Sequence, residues 1–233
     1  NVDTNGTNTQ GTGAQSGGTV TATGSTSVAG VRVFKSYPTV AAQTSGMSST
    51  LIAQSGIDLY RFSVKANSGD IALNELTVNI ATSSVSTTNG TTTVSNLDIY
   101  AFTDSNFSFP VAGYTSGKIY DGSGGAMNGD HVAALTSVLT IPSGDTYYFK
   151  VVGDITQVAG TTGSAGTVTT KLVGDSAYPV IATLLSQYVT GLGNFIWSPV
   201  STTTAATTNL DWTNAYSVSG LPSGGTNSFT LTK

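Results

Sequence analysis

Apolar and polar residues alternate along most of the chain with a period of two. The pattern is clearest in VRVF (31–34), YRFSV (60–64), LTVNI (76–80) and YYFKV (147–151). One set of side chains there is apolar and the interleaved set polar, as a strand with one buried face requires. This period predicts strands over 28–35, 59–65, 71–81, 94–103, 118–120, 134–141, 146–152, 167–173, 194–197 and 228–232. Glycine- and proline-rich breaks such as NSGD, IPSGD and GLPSGG separate them. Helical periodicity is confined to VIATLLSQYV (180–189), where a turn or two of helix fits between Pro179 and Gly191. Regularly spaced strands with next to no helix predict an all-β fold, a two-sheet antiparallel sandwich of Ig-like type over residues 28–233.

One strand pattern occurs twice. LYRFSVKANSGDI (59–71) returns in part as YYFKVVGDI (147–155), so that Tyr60, Phe62 and Val64 match Tyr147, Phe149 and Val151. The intervening strands do not repeat in register. The reading is therefore one strand type used twice, with all six residues facing the core, rather than a duplicated domain.

Residues 1–27 differ from the rest. They are nearly all Gly, Thr, Ser, Asn, Gln and Ala, with no apolar face to bury and no proline. Such a segment is either a linker or an extended strand whose ladder partner is the sheet edge of a neighbouring copy, because ordering its backbone costs about 1–2 kcal/mol per residue that it cannot recover by burial.

Composition narrows the function classes. Cysteine is absent and His131 is the sole histidine, which excludes a disulfide framework and every Cys/His zinc site. Charged residues make up 9% of the chain, against about 25% in ordinary globular proteins. Eight Lys and Arg are scattered against twelve Asp and Glu, so no basic patch for nucleic acid is expected. No apolar run approaches the roughly 20 residues of a membrane-spanning helix. The excess of Thr, Ser, Asn and Gly is the composition of an extracellular, cell-surface protein.

Catalytic chemistry finds little footing. His131 reads as a solvated loop residue, no G-x-S-x-G elbow is present, and the aspartates fall mostly at strand ends, where Asp is ordinary turn chemistry. The expectation is no enzyme. The loop 121–131 gathers Asp121, Asn128 and Asp130 among flexible glycines, an oxygen-rich set that suits calcium, although it lacks the EF-hand spacing. Tyr100, Tyr114, Tyr120, Tyr178, Trp197 and Trp212 would form a sugar-stacking platform if exposed together, and core positions otherwise. Glu75, the sole glutamate, is expected to face solvent from its strand. Asn5, Asn89 and Asn106 stand in N-x-[ST] sequons.

Several stretches resemble a known kind of module: VRVFKSYPTVA (31–41), LYRFSVKANSGDIALNELTVNIATSS (59–84), YYFKVVGDI, KLVGDSAYP (171–179), NFIWSPVSTTT (194–204) and DWTNAYSVSGLPSGG (211–225). Together they resemble the C-terminal β-rich modules of secreted, surface-layer-like proteins of uncultivated ultra-small bacteria. The resemblance spans the chain from about Gly30 onward and implies a structural role without catalytic residues. Two function classes stand at this point. One is a structural protomer that self-assembles, as a homopolymer, into a surface layer or filament through β-strand contacts. The other is a surface-displayed adhesin or glycan-binding module with a cell-wall or surface glycan as partner.

Overall fold

The computed structural model describes residues 10–12, 19–21, 33–83, 92–157, 166–179, 191–200 and 212–233. The chain divides into two units, Asn1–Phe34 and Lys35–Lys233. In the first, β1 (Gln10–Thr12) and β2 (Thr19–Thr21) pair antiparallel, with Gly11 opposite Val20. Threonine favours such pairing, but an isolated two-stranded hairpin is marginal in water. The rest of the 1–27 segment and the helix expected over 180–189 lie outside the described residues.

The second unit is an all-β sandwich built from β3 (Tyr37–Ala42), β4 (Gln54–Asn67), β5 (Ile71–Ser83), β6 (Thr92–Phe102), β7 (Lys118–Gly122), β8 (Gly129–Ile141), β9 (Thr146–Gln157), β10 (Thr167–Leu172), β11 (Phe195–Ser198) and β12 (Phe229–Thr232). One sheet has the antiparallel order β3-β4-β9-β6-β7. The other is centred on β5, with β8 along one side. On its other side, β11 pairs with the first half of β5 and β10 with the second half, and β12 lies beyond β10.

The repeated strand pattern finds its explanation here. Its two copies are neighbours, β4 and β9, and they pair with each other: Phe62 faces Phe149, while Tyr60 faces Val151 and Val64 faces Tyr147. The antiparallel register makes the Tyr-x-Phe-x-Val pattern self-complementary about the central pair. The two Phe rings stack with centroids 4.8 Å apart and planes 5° from parallel. Tyr60, Phe62, Val64, Phe149 and Val151 are fully buried, and Tyr147, next to the Pro142–Asp145 turn, is half-buried. Tyr60 also clasps the two layers, its hydroxyl lying 2.7 Å from Thr226 Oγ1 and 2.8 Å from the Asn227 carbonyl.

Two expectations need correction. The strand expected over 28–35 does not extend through 33–35; the edge strand starts instead at Tyr37 and contains Pro38. Proline fits there because the Val40 N–H, which shares its direction, points away from β4 to the Ser219 carbonyl at 2.9 Å, so no bond to β4 is lost at Pro38. Glu75, expected to face solvent, is 96% buried by its 4% exposure. It shares a face with its partner Ile196, on the outside of the second sheet. That face is itself covered by a small apolar cluster of Ala72, Leu192, Ile196, Val200 and Trp212. With both faces covered, β5 is buried almost continuously and has no solvent side.

Most sheet edges are capped. The Ser219 carbonyl lies on β3, and Gly220, at φ 81°, is required there because a Cβ would run into the Val40 carbonyl. Residues 49–51 bond to Thr232 on β12, and Thr213 exchanges two hydrogen bonds with Trp197 on β11. The outer edge of β8 from Gly129 to Ala134 pairs with no strand among the described residues.

Candidate functional site

Six charged residues of this charge-poor chain stand in two adjacent rows on the solvent face of the first sheet. The register places Arg61, Lys150, Tyr100 and Lys118 in one row across β4, β9, β6 and β7. The adjacent row holds Asp58, Val152, Asp98 and Asp121 in the same strand order. Each cation of the first row meets a carboxylate of the second: Asp58 holds Arg61 and, at 3.7 Å, Lys150, while Lys118 lies 2.7 Å from Asp98 and 3.5 Å from Asp121. The hydrogen bond that Lys118 donates to Asp98 pushes its ammonium well above its ordinary value. Burial, with the Asp98 charge beside it, raises Tyr100. Three cations matched by three carboxylates leave no surplus positive charge for phosphates.

On the other flank of the cationic row, Tyr148 and Phe102 face each other across β9 and β6. The loop 103–109 lays Phe107 over them, edge-on to both rings at 5.7 and 6.2 Å. The Arg61 guanidinium sits 4.7 Å from the Phe107 ring centre and Lys150 Nζ 5.2 Å from it. Phe107 holds φ at 56°, an unfavourable value for an aromatic residue. Asp104 holds the loop in this conformation by accepting the backbone N–H groups of Asn106, Ser108 and Phe109 at 3.1, 2.9 and 2.7 Å.

Asp104 gives a pH prediction. Desolvation raises its pKa, but the three backbone donors outweigh it and the net shift is downward from 3.8. A carboxylate depressed in the folded state stabilises the loop fully above its unfolded pKa and loses that contribution as pH falls through the folded value. Ring resonances of Phe107 in NMR spectra are therefore expected to stay constant from neutral pH down to about 4 and to move only in stronger acid. In Asp104→Ala they are expected to sit at the displaced position at every pH.

The candidate calcium ligands fall on different elements. Asp121 is a strand residue on β7, paired with Lys118. Asp130 lies on β8 in the other sheet, where Asn79 Nδ2 donates to it at 2.6 Å. Asn128 accepts the Thr82 N–H at 3.2 Å. Only 123–128 of the expected loop connects strands. Among the described residues, no group of three His, Asp or Glu is arranged to hold a metal ion. His131, read as a loop residue, is instead on β8 opposite Val78, with its Nε2 buried and without a hydrogen-bond partner among the described residues.

The aromatic residues sort into two sets. Trp197 and Trp212 are buried, so neither belongs to an exposed platform. Tyr178 is exposed and meets Tyr216, a residue the sequence reading passed over, edge-on at 4.6 Å. Tyr100 and Tyr114 line an open groove of about 560 Å³ beside β7. Of the sequons, Asn106 lies exposed on the Phe107 loop, while Asn5 and Asn89 are outside the described residues.

A second polar centre was not legible as one. Asp175, to sequence reading one of many strand-end aspartates, is buried and ties three segments together. Its carboxylate accepts the N–H groups of Asn194 at 2.8 Å, Ala215 at 2.9 Å and Phe195 at 3.4 Å, and the Asn194 amide at 3.2 Å. Asn214 completes the knot by donating to the carbonyls of Ala177 and Leu192, while its own carbonyl takes the Trp197 indole N–H at 2.8 Å. With every oxygen turned to protein donors, this is an architectural centre that fixes the outer layer over β5. Compared with known proteins, the chain matches no protein-family model and no curated protein sequence.

Proposed function

We propose that this chain is a structural, cell-surface protein that assembles with copies of itself into a surface layer or extracellular filament, its N-terminal segment adding as a strand to the β8 edge of a neighbouring copy. The observation that carries this reading is the state of that edge. From Gly129 to Ala134 it has no strand partner among the described residues, no lysine and no proline, and its Val132 side chain is 54% exposed. Natural sheets guard open edges with such residues or cover them, and the β3 edge has both a proline and a covering carbonyl. The donor suits the acceptor. A proline-free, Thr-rich segment offers a backbone donor and acceptor at every residue. Its own β1–β2 hairpin, of two three-residue strands, is too small to compete with a long ladder. Low charge removes the usual repulsion between copies, and the resemblance of the sandwich stretches to surface-layer-like modules points the same way.

Electron microscopy and sedimentation velocity on the full chain and on a variant lacking residues 1–27 test it. The full chain is expected to form a periodic layer or filament, and the truncated one a folded monomer. Identical polymers from both would reduce the segment to a tether and remove strand addition from the account.

A further inference from the structure

The groove beside β7 has the features of a ligand site that the assembly reading does not use. It follows the edge of the first sheet, between Tyr100 on the sheet face and Thr136 on β8, and the loop ending in Ser116 closes one side. Both flanking strands carry irregularities at this point. The β6–β7 register shifts between Ile99 and Tyr100, and on β8 residues 135–138 bulge away from a single β5 residue, Asn74. Bulges of this kind re-aim side chains and gather beside functional sites. Ser116 holds φ at 53°, a left-handed value that a non-glycine residue rarely adopts. The next residue has to be glycine, because a Cβ on Gly117 would meet the Ala101 carbonyl at 2.7 Å.

The lining is preorganised. The Tyr114 hydroxyl donates to the Ser137 carbonyl at 3.1 Å and accepts from Ser137 Oγ at 3.0 Å, which fixes its ring. The Tyr100 hydroxyl is held by Asp98 at 3.2 Å. Lys118 is already matched by two carboxylates, and Asp121 leaves most of its side chain, 62%, in solvent with lone pairs to spare. Within the lining Lys118 and Asp121 offset each other, and Asp98 beyond it draws on the same ammonium, so no surplus positive charge is left for phosphate, sulfate or uronate ligands. It is open and polar, so it offers no enclosed apolar volume for a lipid or flat hydrophobe.

We propose that this groove binds a neutral saccharide, with the Tyr100 and Tyr114 rings packing on sugar C–H faces and Asp121, Ser116 and Thr136 bonding its hydroxyls. Aromatic rings with a polar handle are suited to ligands that are apolar on one face and wet on the other, and an exposed carboxylate accepts two vicinal hydroxyls at once. The open form of the groove admits an internal stretch of a polymer rather than a chain end alone. The site uses no residue of the 129–134 edge, so it stands or falls separately from self-assembly.

The test is titration calorimetry of the full chain against cello-, chito- and manno-oligosaccharides, with oligogalacturonate as the acidic comparator. At least one neutral oligosaccharide is expected to bind, and Tyr114→Ala and Asp121→Asn are each expected to weaken it about tenfold while remaining cooperatively folded. Oligogalacturonate is expected not to compete. The proposal is overturned if no neutral oligosaccharide binds at about 1 mM, if neither variant changes the affinity, or if the acidic comparator binds more tightly.

Discussion

Phe62→Ala and Phe149→Ala are each expected to lower the free energy of unfolding by about 3–5 kcal/mol, the range for truncating a buried aromatic residue. Both rings are fully buried and both sit inside the β4–β9 ladder with paired residues on either side, so neither site can relax by opening to solvent. They also touch each other, stacked 4.8 Å apart. The double variant is therefore expected to cost less than the two single ones added, with a coupling of about 0.5–1.5 kcal/mol from the ring pair. Urea or guanidinium titrations of the four proteins in the cycle measure this directly. Single-variant losses under 1 kcal/mol, or strict additivity, would contradict the self-complementary pairing of the two strands.

Asp175→Ala is expected to be nearly as damaging, at about 3–5 kcal/mol. The substitution strands the buried Ala215 N–H and the half-buried Asn194 N–H, and removes the acceptor of the buried Phe195 N–H. Each buried donor left without a partner costs about 1–3 kcal/mol. A surface aspartate at a turn, as the sequence suggests this one to be, would change stability by no more than about 0.5 kcal/mol. Asp175→Asn keeps one acceptor oxygen and is expected to fall between the two. Loss of the knot also frees the layer over β5, so Trp212 fluorescence is expected to shift red in Asp175→Ala at denaturant concentrations where the Phe62–Phe149 core is still folded. Coincident transitions by both probes would instead make the outer layer part of one cooperative unit.

What the sequence shows and hides follows from how each element is buried. Strands with one face in solvent, such as β4 and β9, announce themselves by alternation, and the sandwich follows from them. β5 alternates as clearly, in LTVNI, yet its polar set does not face solvent, because an outer cluster around Trp212 covers its second face. That cover is why Glu75, which looks solvent-facing in LNELTV, is buried. The edge strand over 37–42 lies beyond the strand expected over 28–35, and only the direction of the Val40 N–H shows why it accepts Pro38. The Gly-Asp-Ile tripeptide shows how weak local identity is as a guide. At 69–71 it turns the chain into β5, and at 153–155 it continues β9, where a Cβ on Gly153 would crowd Leu59 and Val94. The charged rows of the first sheet were present in the sequence as eight scattered cations and twelve acids. They become rows only through strand order and register, which alternation does not encode. The groove is less legible still, since it depends on two bulges and a positive φ at Ser116.

The central claim, that copies join through the open edge of β8, is tested most directly by amide hydrogen exchange on the full chain in dilute and in concentrated solution. Strand addition puts a new ladder on that edge, so the outward amides within 129–134 are expected to slow sharply on concentration, while those of β3, guarded by Pro38 and Ser219, keep their rates. Unchanged exchange over 129–134 in material that has assembled, or protection that appears on β3 instead, would contradict the account.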